Sequence, residues 1–147
     1  MTSPSVEASA PSHLLDAGPL VRLLGADDQW HEWRRKTLIA IPAALRTTET
    51  AVAAACHHLR DHRPALSAIL RMIEAGALVL ETLIPRHAAR VGRLLADYNQ
   101  MDFGDATLVV LSELYPKAKL VTIDGRDLTI YRRGDGSPVP IIAPNRD

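Results

Sequence analysis

Met101-Asp102-Phe103-Gly104-Asp105-Ala106-Thr107-Leu108-Val109-Val110-Leu111, followed one helix length later by Leu120-Val121-Thr122-Ile123-Asp124-Gly125-Arg126-Asp127, is the stretch on which the reading of this chain turns. Asp102 and Asp105 open an apolar run (Ala106, Leu108, Val109, Leu111, Leu114) whose spacing predicts a helix with both acids on its first turn. Val121-Thr122-Ile123 is β-branched throughout and predicts a strand ending at Asp124. Open α/β sheets place their chemistry where helix N-termini meet the C-terminal ends of strands.

Working outward, His13-Leu14-Leu15 predicts a short buried strand running out at Asp16, and Pro19 opens a helix through Leu24, since proline suits the first helical position. Asp27 or Asp28 caps a second helix carrying Trp30, Trp33 and Arg34. Leu38-Ile39-Ala40-Ile41 is the expected second strand, closed by Pro42. Thr47 or Thr48 caps a helix through Leu59, and Pro64 ends or restarts it. Leu66, Ile69, Leu70 and Ile73 form the next amphipathic helix, stopped at Gly76, and the third strand is Ala77–Glu81. Pro85 begins a helix with Val91, Leu94, Leu95 and Tyr98 inward and Arg86, Arg90 and Arg93 on the other side. Val139-Pro140-Ile141-Ile142 is a short edge strand, its proline barred from a central place. Strands alternating with helices at this spacing predict an α/β fold with a mostly parallel sheet between two helical layers.

The 147 residues suit one domain, expected over 13–147 after a disordered, small and polar leader at 1–12 that lacks a signal peptide's basic start and apolar centre. Lys plus Arg total 17, matching Asp plus Glu, so no global field draws the protein to nucleic acid or membrane; attraction to a phosphate backbone must come from local patches. Cys56 is the single cysteine and sits in an alanine-rich run, which reads as packing in a reducing compartment. A cytoplasmic protein is expected, with no membrane span.

Three acids stand at comparable places: Asp16 and Asp124 at strand ends, and Asp105 in a helix's first turn with Asp102 one turn earlier. Converging carboxylates repel unless a cation joins them. With no cysteine pair and no His-rich signature nearby, an all-oxygen site suits Mg²⁺ or Mn²⁺ better than zinc. A cation held this way polarises a phosphodiester and lowers the pKa of bound water, so phosphodiester hydrolysis is the inferred reaction class. Structural readings stand beside these. Asp102 serves equally as an N-cap with Asp105 at N3, Asp124-Gly125 as a turn, and Asp16 as a solvated strand end.

In series, Leu14-Leu15-Asp16-Ala17-Gly18-Pro19-Leu20, Met101–Val109, Val121–Leu128 and Tyr131-Arg132-Arg133 resemble PIN-domain proteins, especially VapC-type ribonuclease toxins of type II toxin–antitoxin pairs. The resemblance covers His13 to Pro144 in the right order. It implies a three-layer α/β/α sandwich, Mg²⁺-dependent endoribonuclease activity on RNA, a homodimer, and a cognate antitoxin that occupies the site. By motif, Asp16, Asp105 and Asp124 match the family's metal-binding acids, and Asp102 and Asp127 match accessory acids.

The chain departs from the family pattern at one position. Alignment puts Ala54 where the family carries a fourth acid, a glutamate in the helix after the second strand. Glu49 lies five positions earlier, about 140° round an ideal helix, and would join the metal only if that helix began late or shifted register; otherwise it is a solvated first-turn acid. Two functional readings follow: a metal-dependent endoribonuclease using Asp16, Asp102, Asp105 and Asp124 with Glu49 as a further ligand, or a catalytically impaired module that binds RNA or a protein partner without cutting. His58 and His62, four apart, read as a basic helix end rather than a zinc pair. With Arg60 and Arg63 they form one of three basic patches, beside Arg34-Arg35-Lys36 and Arg86-His87-Arg90-Arg93, each either steering RNA or merely solvated.

Overall fold

Leu14 and Leu15 are neighbours in sequence and both buried, yet they belong to different cores, because successive strand residues point to opposite faces of a sheet. A strand buried on both faces belongs in a parallel sheet covered on each side by helices. The computed structural model, which describes residues 10–24, 44–123 and 125–144, has this architecture. In chain order the elements are β1 (His13–Leu15), α1 (Ala17–Leu24), β2 (Leu45–Thr48), α2 (Glu49–His58), α3 (Arg63–Glu74), β3 (Leu78–Glu81), α4 (Ala88–Asp97), α5 (Phe103–Leu114), β4 (Lys119–Val121), α6 (Gly125–Ile130) and β5 (Ile141–Ile142).

The five strands are ordered β3-β2-β1-β4-β5 and every pairing is parallel. Leu14 registers against Arg46 of β2 on one side and Leu120 of β4 on the other. One core gathers Leu14, Leu94, Leu108, Leu111, Leu120 and Tyr131; the other gathers Leu15, Leu20, Val52, Ile69, Leu78 and Val121. These are the two helix–sheet interfaces of an α/β/α sandwich. Truncating Leu14 or Leu15 to alanine opens a cavity in only one of them, at a cost of about 2–5 kcal/mol.

Most helix boundaries follow local chemistry. Thr48 caps α2, its hydroxyl accepting the Ala51 N–H at 3.1 Å. Pro64 sits in the first turn of α3, restarting the helix after the break at His62. Gly76, at φ +80°, turns the chain after α3 in the left-handed conformation that glycine adopts without a Cβ clash.

The elements differ from expectation in several places. The second strand among the described residues is Leu45–Thr48, read from sequence only as the approach to a helix cap. Its Leu-Arg-Thr-Thr carries a single aliphatic residue, and its burial is completed by polar groups: the Thr47 hydroxyl donates to the Leu15 carbonyl at 2.6 Å. The expected strand at 38–41 and the helix with Trp30 and Trp33 lie outside the described residues. The helix expected from Pro85 begins only at Ala88, after a turn closed by His87 N–H to Leu83 O at 2.7 Å. Arg90 does not stand on a solvated face but forms a two-pronged ion pair with Glu113 of α5, at 2.9 and 3.0 Å. β4 ends at Val121, and α6 follows where the sequence suggested a turn. The closing strand is only Ile141–Ile142, at the sheet edge, with the Pro140 carbonyl accepting from Leu120 N–H at 2.8 Å.

Candidate active site

From β1 the chain runs to β2 and β3 on one side of the sheet, then crosses to β4 and β5 on the other. The switch in direction lies between β1 and β4, and a crevice forms at the carboxyl ends of strands that diverge this way. Asp16 is the first residue past β1. Its backbone N–H continues the ladder to Val121 O at 3.0 Å, while its carboxylate accepts the Ala17 N–H at 2.7 Å and the hydroxyl of fully buried Thr122 at 2.9 Å. These bonds fix the carboxylate across the β1–β4 seam.

The second acid arrives from α5. Asp102 is its N-cap, extended at φ −90° and ψ 172°, and accepts the Asp105 N–H at 2.7 Å. Asp105 sits at N3, half-buried, with the hydroxyl of fully buried Tyr131 directed at its carboxylate over 3.4 Å. The cap and the cavity-facing role of this pair therefore coexist, since one turn of helix satisfies its own N–H groups and aims an acid inward.

Asp16, Asp102 and Asp105 line one cavity of about 360 Å³, together with Ala54, Arg22 and His58. The crowding of acids registers on Asp105, whose pKa is pushed up to about 6 by burial and then by the negative charges of Asp102 and Asp16. Hydrogen bonds from the Asp102 backbone and from Tyr131 pull the other way, and burial with repulsion outweighs them. An acid in this position is relieved by a cation, and the donors present are carboxylate oxygens, which suit a hard divalent ion. Among the described residues no group of three or more His, Cys, Asp or Glu side chains is close enough to hold a metal ion by itself. Asp124, expected as the third ligand, lies outside the described residues.

Glu49 is not brought to this cavity. It is exposed, accepts the Thr82 hydroxyl at 3.0 Å, and lines a separate hollow of about 280 Å³ with Glu81, Leu83 and Ile84. α2 starts at Glu49 without a late start or register shift, so the helical offset between positions 49 and 54 stands and Ala54 faces the acids. His62 does not pair with His58 either; its Nδ1 accepts the Ala65 N–H at 3.1 Å and caps α3.

Of the cavity wall, Arg22 escaped the sequence reading, and His58 was read only as part of a basic helix end, not as a neighbour of the acids. Arg22 follows Gly18 and Val21 at helical spacing on the same face of α1, and that spacing from Asp16 onward was the signal available. His58 follows Ala51 and Ala54 on α2 in the same way.

A central parallel sheet between helical layers, with an acid-lined crevice at its switch point, defines a PIN-like α/β/α sandwich. The crystal structure of Mycobacterium tuberculosis VapC20, described as a sarcin–ricin loop cleaving toxin, matches it with a TM-score of 0.69 at 17% sequence identity, covering 78% of this chain and 92% of that one. The chain thus has the fold of a VapC-type PIN domain. No protein-family model matches the sequence, and no curated protein matches it. Among the described residues no helix is long and apolar enough to cross a membrane.

Proposed function

We propose that this chain is a metal-dependent endoribonuclease that hydrolyses RNA phosphodiester bonds, and that it is the toxin of a toxin–antitoxin pair. The observation that carries the reading is the meeting of Asp16 and Asp105, from a strand end and a helix start, in one cavity at the switch point. The fold shared with VapC20, a toxin described as cutting the sarcin–ricin loop, supports RNA as substrate and an antitoxin as partner. A homodimer in the cytoplasm completes the proposal.

Asp16 and Asp105 would hold Mg²⁺ or Mn²⁺, with Asp102 at the rim and Asp124 as a further ligand. The bound ion would polarise the phosphodiester and lower the pKa of an attacking water. The protein's own part is positional. Thr122 and the Ala17 N–H fix the Asp16 carboxylate, and the α5 cap fixes Asp105 in its turn. With its pKa at about 6, Asp105 is already mostly ionised at neutral pH, and a cation beside it would favour the carboxylate further.

A second reading, a PIN-fold module that binds RNA or a protein without cutting, is favoured by one observation: Ala54 lines the cavity where the family's glutamate would stand, and Glu49 does not replace it. The deciding experiment is cleavage of structured RNAs, a sarcin–ricin stem-loop among them, by purified protein in Mg²⁺ or Mn²⁺. Asp16→Asn, Asp105→Asn and an EDTA control run alongside. Metal-dependent cutting lost in both variants supports the nuclease. A wild type as inert as its variants, with cutting restored by Ala54→Glu, supports a site disabled at one position.

A further inference from the structure

We propose that Arg22 and His58 form a phosphate-holding wall facing the acids, and that it seats the RNA backbone in the cavity. The proposal deepens the ribonuclease reading and rests on it for the identity of the substrate. Acids and bases divide by element in this cavity. Asp16, Asp102 and Asp105 come from the end of β1 and the start of α5, whereas Arg22 and His58 come from the last turns of α1 and α2. Three carboxylates repel a phosphodiester, so a polyanion needs positive charge or N–H donors on the wall opposite them.

His58 lies one turn beyond Ala54. Helical side chains lean toward the N-terminus and cover the preceding turn, so the imidazole stands over the surface that Ala54 leaves bare. Both positions are exposed within the cavity. His58 lines the same cavity as the acids but comes from a different element, the last turn of α2. Nothing hydrogen-bonds its ring among the described residues; its neighbour there is His57, edge-on at 6.1 Å. A ring that lines the cavity with no protein hydrogen-bond partner among the described residues is placed to donate to the substrate. Arg22 adds the permanent charge that a phosphate prefers.

The test uses full-length protein and a fluorescein-labelled sarcin–ricin stem-loop. Binding is measured in EDTA across a salt series, and steady-state cleavage is measured in Mn²⁺. The variants are Arg22→Gln, His58→Ala and His58→Gln, with Arg71→Gln, at an exposed position of α3 outside the cavity, as a charge-matched control, and thermal melting confirms folding. Arg22→Gln is expected to weaken binding and flatten the salt slope by about 0.7, the value for one phosphate contact on a single strand. His58→Ala is expected to raise KM about tenfold, the effect of losing roughly 1.4 kcal/mol of binding, with kcat within about twofold. His58→Gln, which keeps an N–H donor, is expected to recover most of that loss.

If the wild type cuts RNA and neither KM nor the salt slope moves in the variants, the wall is refuted and the nuclease stands. If the wild type binds RNA without cutting and the variants weaken binding, the nuclease reading fails and the wall stands. A wild type that does not bind RNA at all refutes both.

Discussion

The hydroxyls of Thr48 and Thr107 meet at 3.1 Å between α2 and α5, and each residue is 1% exposed. Thr107 donates to the Gly104 carbonyl at 2.7 Å, so Thr48 must be the donor of the pair while it accepts from Ala51 N–H. A continuous hydrogen-bonded line thus ties the cap of α2 to the first turn of α5, which carries Asp105. Thr48→Ala removes both a cap and a buried partner and is expected to cost about 2 kcal/mol. Urea denaturation of Thr48→Ala, Thr107→Val and the double variant checks this, with a coupling energy of roughly 1 kcal/mol expected between the two sites.

Asp105 sets a pH dependence whose sign is the reverse of that of a salt-bridged carboxylate, because burial and like charge raise its pKa. Its ordinary pKa is 3.8 and in the fold it lies at about 6, so between these values the folded state holds more protons than the unfolded chain. This group's share of stability is fully present at low pH and is lost as pH rises toward about 6 and above. The full shift corresponds to about 3 kcal/mol, and solvent at the cavity mouth reduces it to roughly 1 kcal/mol. Asp105→Asn should therefore melt higher than wild type at pH 7.5 and lose that advantage at pH 4, as read by calorimetry at both values.

The same repulsion is expected to make the fold responsive to divalent ions. At pH 7.5, millimolar Mg²⁺ or Mn²⁺ is expected to raise the melting temperature of the wild type by a few degrees, through mass action on the native state. EDTA should reverse the gain, and Asp105→Asn should show less than half of it.

Ala54→Glu places a carboxylate on the exposed cavity face of α2, where it disturbs no buried contact. Calorimetric titration should show Mn²⁺ binding about tenfold tighter than in the wild type, close to 1.4 kcal/mol. Unchanged affinity would mean that position 54 does not face the ion.

On the far side of the molecule, the Glu113 carboxylate joins Arg90 of α4 to the Gly134 N–H that follows α6. A Cβ on Gly134 would lie 3.1 Å from Glu113 Oε2. The carboxylate is held by the two-pronged Arg90 pair and cannot retreat at no cost. Gly134→Ala is expected to destabilise by roughly 1 kcal/mol, and a Glu113→Gln background should remove much of that penalty in a denaturation cycle.

The parallel sheet was legible because its apolar runs were punctuated by Pro19, Pro64 and Gly76; Pro64 and Gly76 act as expected, whereas α1 begins two residues before Pro19, at Ala17, and the proline sits in its first turn, where a missing N–H costs nothing. β2 was not legible, since its burial depends on threonine hydroxyls satisfied by distant partners, Leu15 O and Thr107, that no local pattern announces. Asp16, Asp102 and Asp105 could be placed together from their element ends and the switch-point rule. Arg22 and His58 could not, because a cavity wall is assembled from faces of helices whose mutual rotation is set only by packing. For the same reason the sequence set Arg90 among solvated arginines, although it is paired across to α5.

The hydrogen bond from Thr122 to Asp16 spans 106 positions of chain, and β1 lies at the centre of the sheet flanked by β2 and β4. A chain emerging from the ribosome therefore presents Asp16 early and without the partner that orients it. The seam closes only when β4 has left the exit tunnel, long after β2 and β3 are available to pair. Contacts of such span slow folding and put the assembly of the acid cavity among its last events. A chain of this strand order carries its acids apart for most of its synthesis, and the cavity that unites them exists only once the last central strand is in place.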